Sequence, residues 1–290
     1  MSKDQTMRFS KIALLAHPQI STAAEQAAWM AEDLSSRGID AICGNLNDLD
    51  LQEQVVAAGF DLVVTLGGDG TVLRAAHLCA PNAIPILPVN MGSLGFLIEL
   101  GPDEWTEALT RLLAGEYWIE NRMMLYTAVW RGEELISEFD VLNDTVIARG
   151  DHLRPVHLRA SLDGQAVTTY VADALVVSTP TGSTAYALAA GGPILPPELQ
   201  NILLVPVAPH LSIDRAIVLA KGATVSVTVL SDHGCVVSGD GQLPLHLTIG
   251  DKVEVRASDF YTQLVRFQDG DYFYRNLVSL MDQNPSAGVK

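Results

Sequence analysis

Positive charge is scarce in this chain. Lysine and arginine together number 18 in 290 residues against 34 aspartates and glutamates, a formal net charge of −16. Affinity for nucleic acid rests on neutralising phosphates with lysine and arginine, so the deficit argues against such a partner. It equally disfavours anionic membrane surfaces. A nucleotide stays permitted, because a few local N–H groups override a distant field. Cysteine is also rare: Cys43, Cys79 and Cys235 are odd in number and far apart. They form neither a disulfide framework nor a zinc-ligand spacing, which fits a reducing compartment, and their apolar contexts predict three small buried side chains. Long hydrophobic runs are missing too. No segment approaches the roughly 18 apolar residues needed to cross a bilayer, and Ile12–Ala16 is too short for a signal core and reads as a first strand. The expectation is a soluble, cytoplasmic protein with no membrane partner and no nucleic acid. No trustworthy Ser-His-Asp order, no His-Glu-x-x-His and no Walker A sequence is present, which weakens metal-assisted hydrolysis and P-loop chemistry.

What is abundant is apolar material. With 48% apolar and 18% charged residues, the chain can bury sizeable cores, and its length suits one large domain or two ordinary ones. Up to about residue 118, short apolar strands alternate with helical stretches. Lys11–Ala16, Ala41–Cys43, Leu62–Leu66 and Ile84–Val89 read as strands, Thr22–Arg37 and Pro102–Leu113 as helices. This alternation predicts an α/β N-terminal domain with a mostly parallel sheet, whose ligands sit beyond the carboxyl ends of the strands. From Tyr117 the pattern turns to short β-branched runs, with Asp163-Gly164 as a hairpin signal. That predicts a β-rich C-terminal domain of antiparallel sheets, interrupted by one helix at about Ser183–Ala190. The last residues, Gln283–Lys290, read as a frayed tail.

Two glycine-rich turns follow apolar strands. The first, Gly67-Gly68-Asp69-Gly70-Thr71, has the strand-turn-helix setting in which backbone N–H groups approach a phosphate, with Gly68 and Gly70 freeing the backbone. An aspartate there repels phosphate, so Asp69 answers to turn geometry, a metal or proton abstraction. Arg74, one turn on, suits a phosphate contact and a solvated helix position equally well. The second turn runs Thr179-Pro180-Thr181-Gly182-Ser183-Thr184-Ala185-Tyr186. It carries four hydroxyls where a helix cap needs one, and Tyr186 adds a flat ring and a phenol. Asn143-Asp144 interrupts an apolar strand, where at least one of the pair meets the core unless the strand is irregular. A ligand with hydroxyls and a structural hydrogen bond near a bulge are both open as its partner. Asp173, at the entry to the strand Ala174–Ser178, has the same two readings. His210 is expected as a hydrogen-bonded core histidine.

Together these residues resemble the NAD kinase family. The likeness rests on Gly67–Thr71, on Asn90-Met91-Gly92-Ser93-Leu94-Gly95-Phe96-Leu97, on Asn143-Asp144 and on Thr179–Tyr186 continuing to Gly191-Gly192-Pro193. Pro206–Ser212 and Ser238–Gln242 match more loosely, and the likeness runs in order from about residue 10 to 275. It implies a first domain over 1–118, completed by about 266–290, and an NAD-binding domain over 119–265, assembled as a dimer or tetramer. It implies transfer of the γ-phosphoryl of ATP, with Mg²⁺ or another divalent cation, to the 2′-hydroxyl of NAD's adenosine ribose. Asp69 would accept the proton, while Gly68, Gly70 and Arg74 would meet the triphosphate. Asn143 and Asp144 would hold NAD's hydroxyls, and Asp173, Thr181, Gly182, Thr184, Ala185, Tyr186 and Gln242 would line the rest. The metal ligands are unassigned. Asp144 stands where the family usually has glutamate, Ala174 where glycine is common, and Val171 where some members have a basic residue that Arg154 would replace. The alternatives are a lipid kinase of the diacylglycerol or sphingosine type, which shares only the first turn, and a non-catalytic NAD(H)-binding regulator.

Overall fold

The computed structural model describes residues 9–270 except 58, 93, 94, 152, 211 and 212, together with 272–274 and 277. The tail expected at Gln283–Lys290, and Ser93, Leu94, Leu211 and Ser212 of the quoted motifs, lie outside the described residues. The chain divides into two compact units, Met1–Asn121 with Thr262–Lys290, and Arg122–Tyr261.

The first unit alternates β1 (Lys11–Ala16), α1 (Ser21–Ser36), β2 (Asp40–Asn45), α2 (Leu49–Ala57), β3 (Leu62–Gly67), α3 (Asp69–Cys79), β4 (Ile86–Asn90) and α4 (Trp105–Leu113). Its strands pair in parallel in the order β2-β1-β3-β4. The α1 helix buries Ala23, Ala27, Met30 and Leu34, a stripe at helical spacing. It stops at Gly38, whose φ of +81° suits the left-handed residue after a helix end. Those side chains pack on Ile12, Leu14, Leu62, Val64, Leu87 and Val89 from the sheet. The strands β1, β3 and β4 are buried almost throughout, as expected of a parallel sheet covered by helices. The α2 helix escapes the sequence reading because only Leu51 and Val55 face the core. Cys43, expected inside, is exposed on β2, an edge strand.

The second unit opens within β5 (Trp118–Arg131) and continues with β6 (Glu134–Val141), β7 (Asp144–Arg149), β8 (Val156–Leu162), β9 (Gln165–Ala172) and β10 (Ala174–Ser178). After α5 (Tyr186–Ala189) come β11 (Asn201–Val207), β12 (Ile217–Ala220), β13 (Val225–Val229), β14 (Cys235–Gly239), β15 (Leu245–Leu247) and β16 (Lys252–Arg266). One antiparallel sheet runs β12-β11-β10-β7-β14-β15. The strands β16, β13, β8 and β9 pair antiparallel in another. Their inner faces meet: Leu158, Val225 and Val253 share one core with Ile147, Leu175, Ile202, Cys235 and Leu247. Asp163 and Gly164 both adopt positive φ in the two-residue turn between β8 and β9, as their sequence demands. The end of β16 lies in the first unit, where Leu264 pairs in parallel with Ile86 of β4. The architecture is the expected one, a mostly parallel α/β part followed by antiparallel sheets. No helix among the described residues is long and apolar enough to cross a membrane.

The helix expected at Ser183–Ala190 is shorter and broken. A 3₁₀ turn over Thr181–Thr184 hands over to α5 at Ala185, whose φ and ψ of −98° and −129° are not helical. His210 is exposed rather than in the core, and its backbone N–H bonds to Val171 O at 2.7 Å.

Candidate active site

In the first unit the carboxyl ends of β3 and β4 are neighbours, with Gly67 opposite Asn90. The turn leaves β3 and starts α3 directly at Asp69, with Gly68 as an N-cap that offers no side-chain bond. The N–H of Thr71 donates back to Gly68 O at 2.9 Å, and the helix start itself favours an anion through its dipole. A Cβ added at Gly68 or Gly70 would meet nothing within 4 Å. Beyond β4, Asn90 ties its own loop: Nδ2 donates to Gly92 O and Oδ1 accepts from Gly92 N–H, each at 3.0 Å. The loop then returns to Asp69, whose Oδ2 accepts from Phe96 N–H at 2.8 Å and Oδ1 from Leu97 N–H at 3.2 Å. Gly95 makes this approach possible, because a Cβ there would overlap the Asp69 carboxylate. Arg74 is exposed, and Nη1 donates to Asn47 Oδ1 at 2.9 Å.

In the second unit the strand carrying Asn143-Asp144 is irregular, as its sequence requires. It bends at Leu142-Asn143, between β6 and β7. The second turn closes on this bend. Thr179 N–H donates to Asn143 O at 2.9 Å, and Thr179 Oγ1 donates to Leu142 O at 2.6 Å. A Cβ on Gly182 would overlap the Asn143 carbonyl oxygen. Gly182→Ala is therefore expected to destabilise the protein by about 1–3 kcal/mol, the usual range for overpacking. A thermal melt reads this directly, and an unchanged melting temperature would show that the turn yields freely.

Most of the hydroxyls that made this turn conspicuous serve the turn itself. Thr179 Oγ1 also accepts from Gly182 N–H, Ser183 Oγ donates to Pro180 O and accepts from Leu195 N–H, and Thr184 Oγ1 donates to Thr181 O. Thr181 Oγ1 accepts from Arg122 Nη1 at 3.2 Å, and both residues are buried. Tyr186 remains outward, 42% exposed, at the start of α5.

The bend is anchored by a residue that sequence reasoning missed. Asp240, at a φ of +48°, accepts from Leu142 N–H and Asn143 N–H at 2.8 Å and from Asp144 N–H at 3.1 Å. Its setting, Gly239-Asp240-Gly241, repeats the aspartate-in-glycine pattern of the first turn, and that was the available signal. The neighbouring Gln242 is exposed, and its backbone N–H closes the turn on Gly239 O. Asp144 lies beside Asp240 and is only 5% exposed. Burial first, and the Asp240 charge second, push the Asp144 carboxyl up to about 7.

Asp173 sits between β9 and β10 and pairs with Arg149, Nε to Oδ1 at 3.2 Å. Arg154 is exposed and feels Asp232 instead. The cation beside Asp173 thus comes from β7, the second strand away in register from β11, and no local spacing announced it. Among the described residues no three His, Cys, Asp or Glu side chains gather to hold a metal ion.

Comparison with known proteins places both units. Residues 12–117 match the ATP-NAD kinase N-terminal domain, and residues 142–267 the ATP-NAD kinase C-terminal domain. The chain is 39% identical to the NAD kinase of Chloroflexus aurantiacus over 269 residues, 93% of this chain and 97% of that one. It is 46% identical to the NAD kinase of Heliobacterium modesticaldum over 215 residues, 73% of this chain and 76% of the other. Among solved structures, yeast NADH kinase complexed with NADH superposes with a TM-score of 0.84 at 23% identity, covering 98% of this chain and 90% of that one. An NAD kinase from Archaeoglobus fulgidus in complex with ATP gives 0.74 at 23% identity, over 96% and 100%. These two likenesses speak to the fold alone. The nearly full-length relatives, with both domain matches in order, show that this chain is a kinase belonging to the NAD kinase family.

Proposed function

We propose that the protein transfers the γ-phosphoryl of ATP to the 2′-hydroxyl of the adenosine ribose of NAD, forming NADP, with Asp69 as the group that receives the hydroxyl proton. The observation that supports this most is the placement of Asp69. It opens α3 behind a glycine turn whose outer side is clear, and two backbone N–H groups fix its carboxylate. An ordinary aspartate, with a pKa of about 3.9, is far too weak a base to ionise an alcohol outright. In a loose phosphoryl-transfer transition state the proton leaves late, so the carboxylate chiefly orients the hydroxyl and takes the proton as the P–O bond forms. The start of α3, with Gly68, Gly70 and Arg74, meets the triphosphate in this reading.

The related structures contain NADH and ATP by their titles, and the second unit offers matching chemistry for a dinucleotide. Asn143 and Asp144 bring an amide and a carboxyl whose pKa is raised to about 7 to hydroxyl groups. Tyr186 offers a ring to a base, Thr181, Gly182, Thr184 and Ala185 belong to the same turn, and Asp173 stands at the opposite end of β10 from it. Mg²⁺ or a similar ion enters with ATP as part of the substrate. Mg²⁺ is commonly held by phosphates and water with one or two carboxylates.

The test is NADP formation from NAD, ATP and Mg²⁺ by the purified protein, read with an NADP-specific dehydrogenase. Product formation supports the reading. Product from NADH alone would move the substrate to the reduced dinucleotide, and phosphate incorporated only into diacylglycerol or sphingosine would overturn it.

A further inference from the structure

Arg266, near the end of β16, is fully buried. Its Nε donates to Glu120 Oε2 at 2.8 Å, and the Tyr272 ring lies 5.0 Å from the guanidinium. Its Nη1 donates to Leu97 O at 2.8 Å, and its Nη2 finds no acceptor among the described residues. The next residue repeats the tie, since Phe267 N–H donates to Glu99 Oε1 at 2.6 Å. Leu97 is one of the two residues whose N–H groups hold Asp69. All of these residues belong to the first unit.

A buried ion pair is a poor device for stability. Desolvating both charges is expensive, and apolar residues of similar volume often serve as well or better. An Arg with an unsatisfied N–H is poorer still. What the guanidinium provides, and an apolar side chain does not, is a donor on the Leu97 carbonyl. Pinning that carbonyl holds Leu97, whose own N–H donates to Asp69 and follows the Phe96 N–H that does the same. We infer that Arg266 is a positioning residue for Asp69: it holds Phe96-Leu97 in place so that the carboxylate stays aimed at the acceptor hydroxyl. This rests on Asp69 acting as proposed above. It also gives the return of the chain to the first unit a part in the reaction.

Four variants test it, with turnover scored per folded molecule. Arg266→Lys keeps the charge but lacks the planar fork that reaches Glu120 and Leu97 together. We expect its kcat to fall about 10–100-fold while KM for NAD and for ATP stays within about threefold, as when a transition-state interaction is lost. Arg266→Met combined with Glu120→Met removes both buried charges, so it folds with near-parental melting, yet it remains as slow because Leu97 O has lost its donor. In an Asp69→Asn background the same double change brings no further loss, because the arginine acts through the aspartate. Parental kcat in the well-folded double variant would overturn the inference, as would independent, multiplying losses with Asp69→Asn. If Asp69→Asn alone kept full turnover, the reading of Asp69 itself would fall, and this inference with it.

Discussion

Asp69→Asn is expected to bind NAD as the parent does and to turn it over about 10²–10⁴-fold more slowly, the usual range for loss of a general base. Asparagine has the same shape, so the start of α3 keeps its geometry. Its amide presents one oxygen and one NH₂ group where the carboxylate presented two acceptors. Two backbone N–H groups point at this position, and only one of them can meet the amide oxygen. The other faces the NH₂ group, so the side chain turns or the loop shifts. The remaining amide group cannot take a proton at any relevant pH. Calorimetric NAD binding alongside steady-state turnover separates the two effects. Unchanged turnover would remove Asp69 from the chemistry, and lost NAD binding would mean that Asp69 serves the site's shape rather than the proton.

The second large effect belongs to Asp144. A carboxyl near 7 in the folded chain, against 3.8 ordinarily, holds its proton more tightly folded than unfolded. Its contribution to stability is therefore complete below about pH 3.8 and is lost as pH rises through about 7. At 1.36 kcal/mol per tenfold change in proton affinity, the loss between pH 5 and pH 8 is about 2–3 kcal/mol. Asp144→Asn removes the titration, so it is expected to be more stable than the parent at pH 8 by about 2–4 kcal/mol, with a smaller difference at pH 5. Urea unfolding at the two pH values measures this, and a difference independent of pH would refute it. The ligand adds a sharper signature. If NAD hydroxyls donate to the carboxylate, binding favours the charged form and releases a proton near pH 7. Calorimetry in buffers of different ionisation enthalpy counts that proton, and it should vanish in Asp144→Asn.

Much of the architecture was legible because it rests on local pattern. Leu62–Leu66 and the glycines after it could only be a buried strand and a tight exit, and Asp163-Gly164 could hardly avoid a hairpin turn. The irregularity at Asn143-Asp144 followed from placing two polar residues in an apolar strand. What stayed hidden was set by partners distant in sequence. Asp240 anchors backbone 96–98 residues earlier, and Arg266 grips Leu97 across 169. Pairing in sheets, rather than spacing along the chain, creates those meetings. Arg149 stands beside Asp173 because β7 and β10 are neighbours, a fact that no motif near Asp173 encodes. The hydroxyls at 179–184 misled in the other direction. Their number suggested a ligand, whereas hydrogen bonds within the turn and to nearby backbone occupy most of them.

The split first unit has a consequence for how the protein is made. On the ribosome, the second unit is complete as soon as Tyr261 has emerged, and it can fold as a contiguous piece. The first unit has by then its helices and four parallel strands, but not Leu264 to pair with Ile86, nor Arg266 to reach Glu120 and Leu97. Asp69 emerges early, and the arginine that reaches Leu97 emerges last. A chain cut short after residue 261 keeps the whole of the second unit but lacks Leu264 and Arg266, so its first unit is left without that strand pairing and without the donor on Leu97 O.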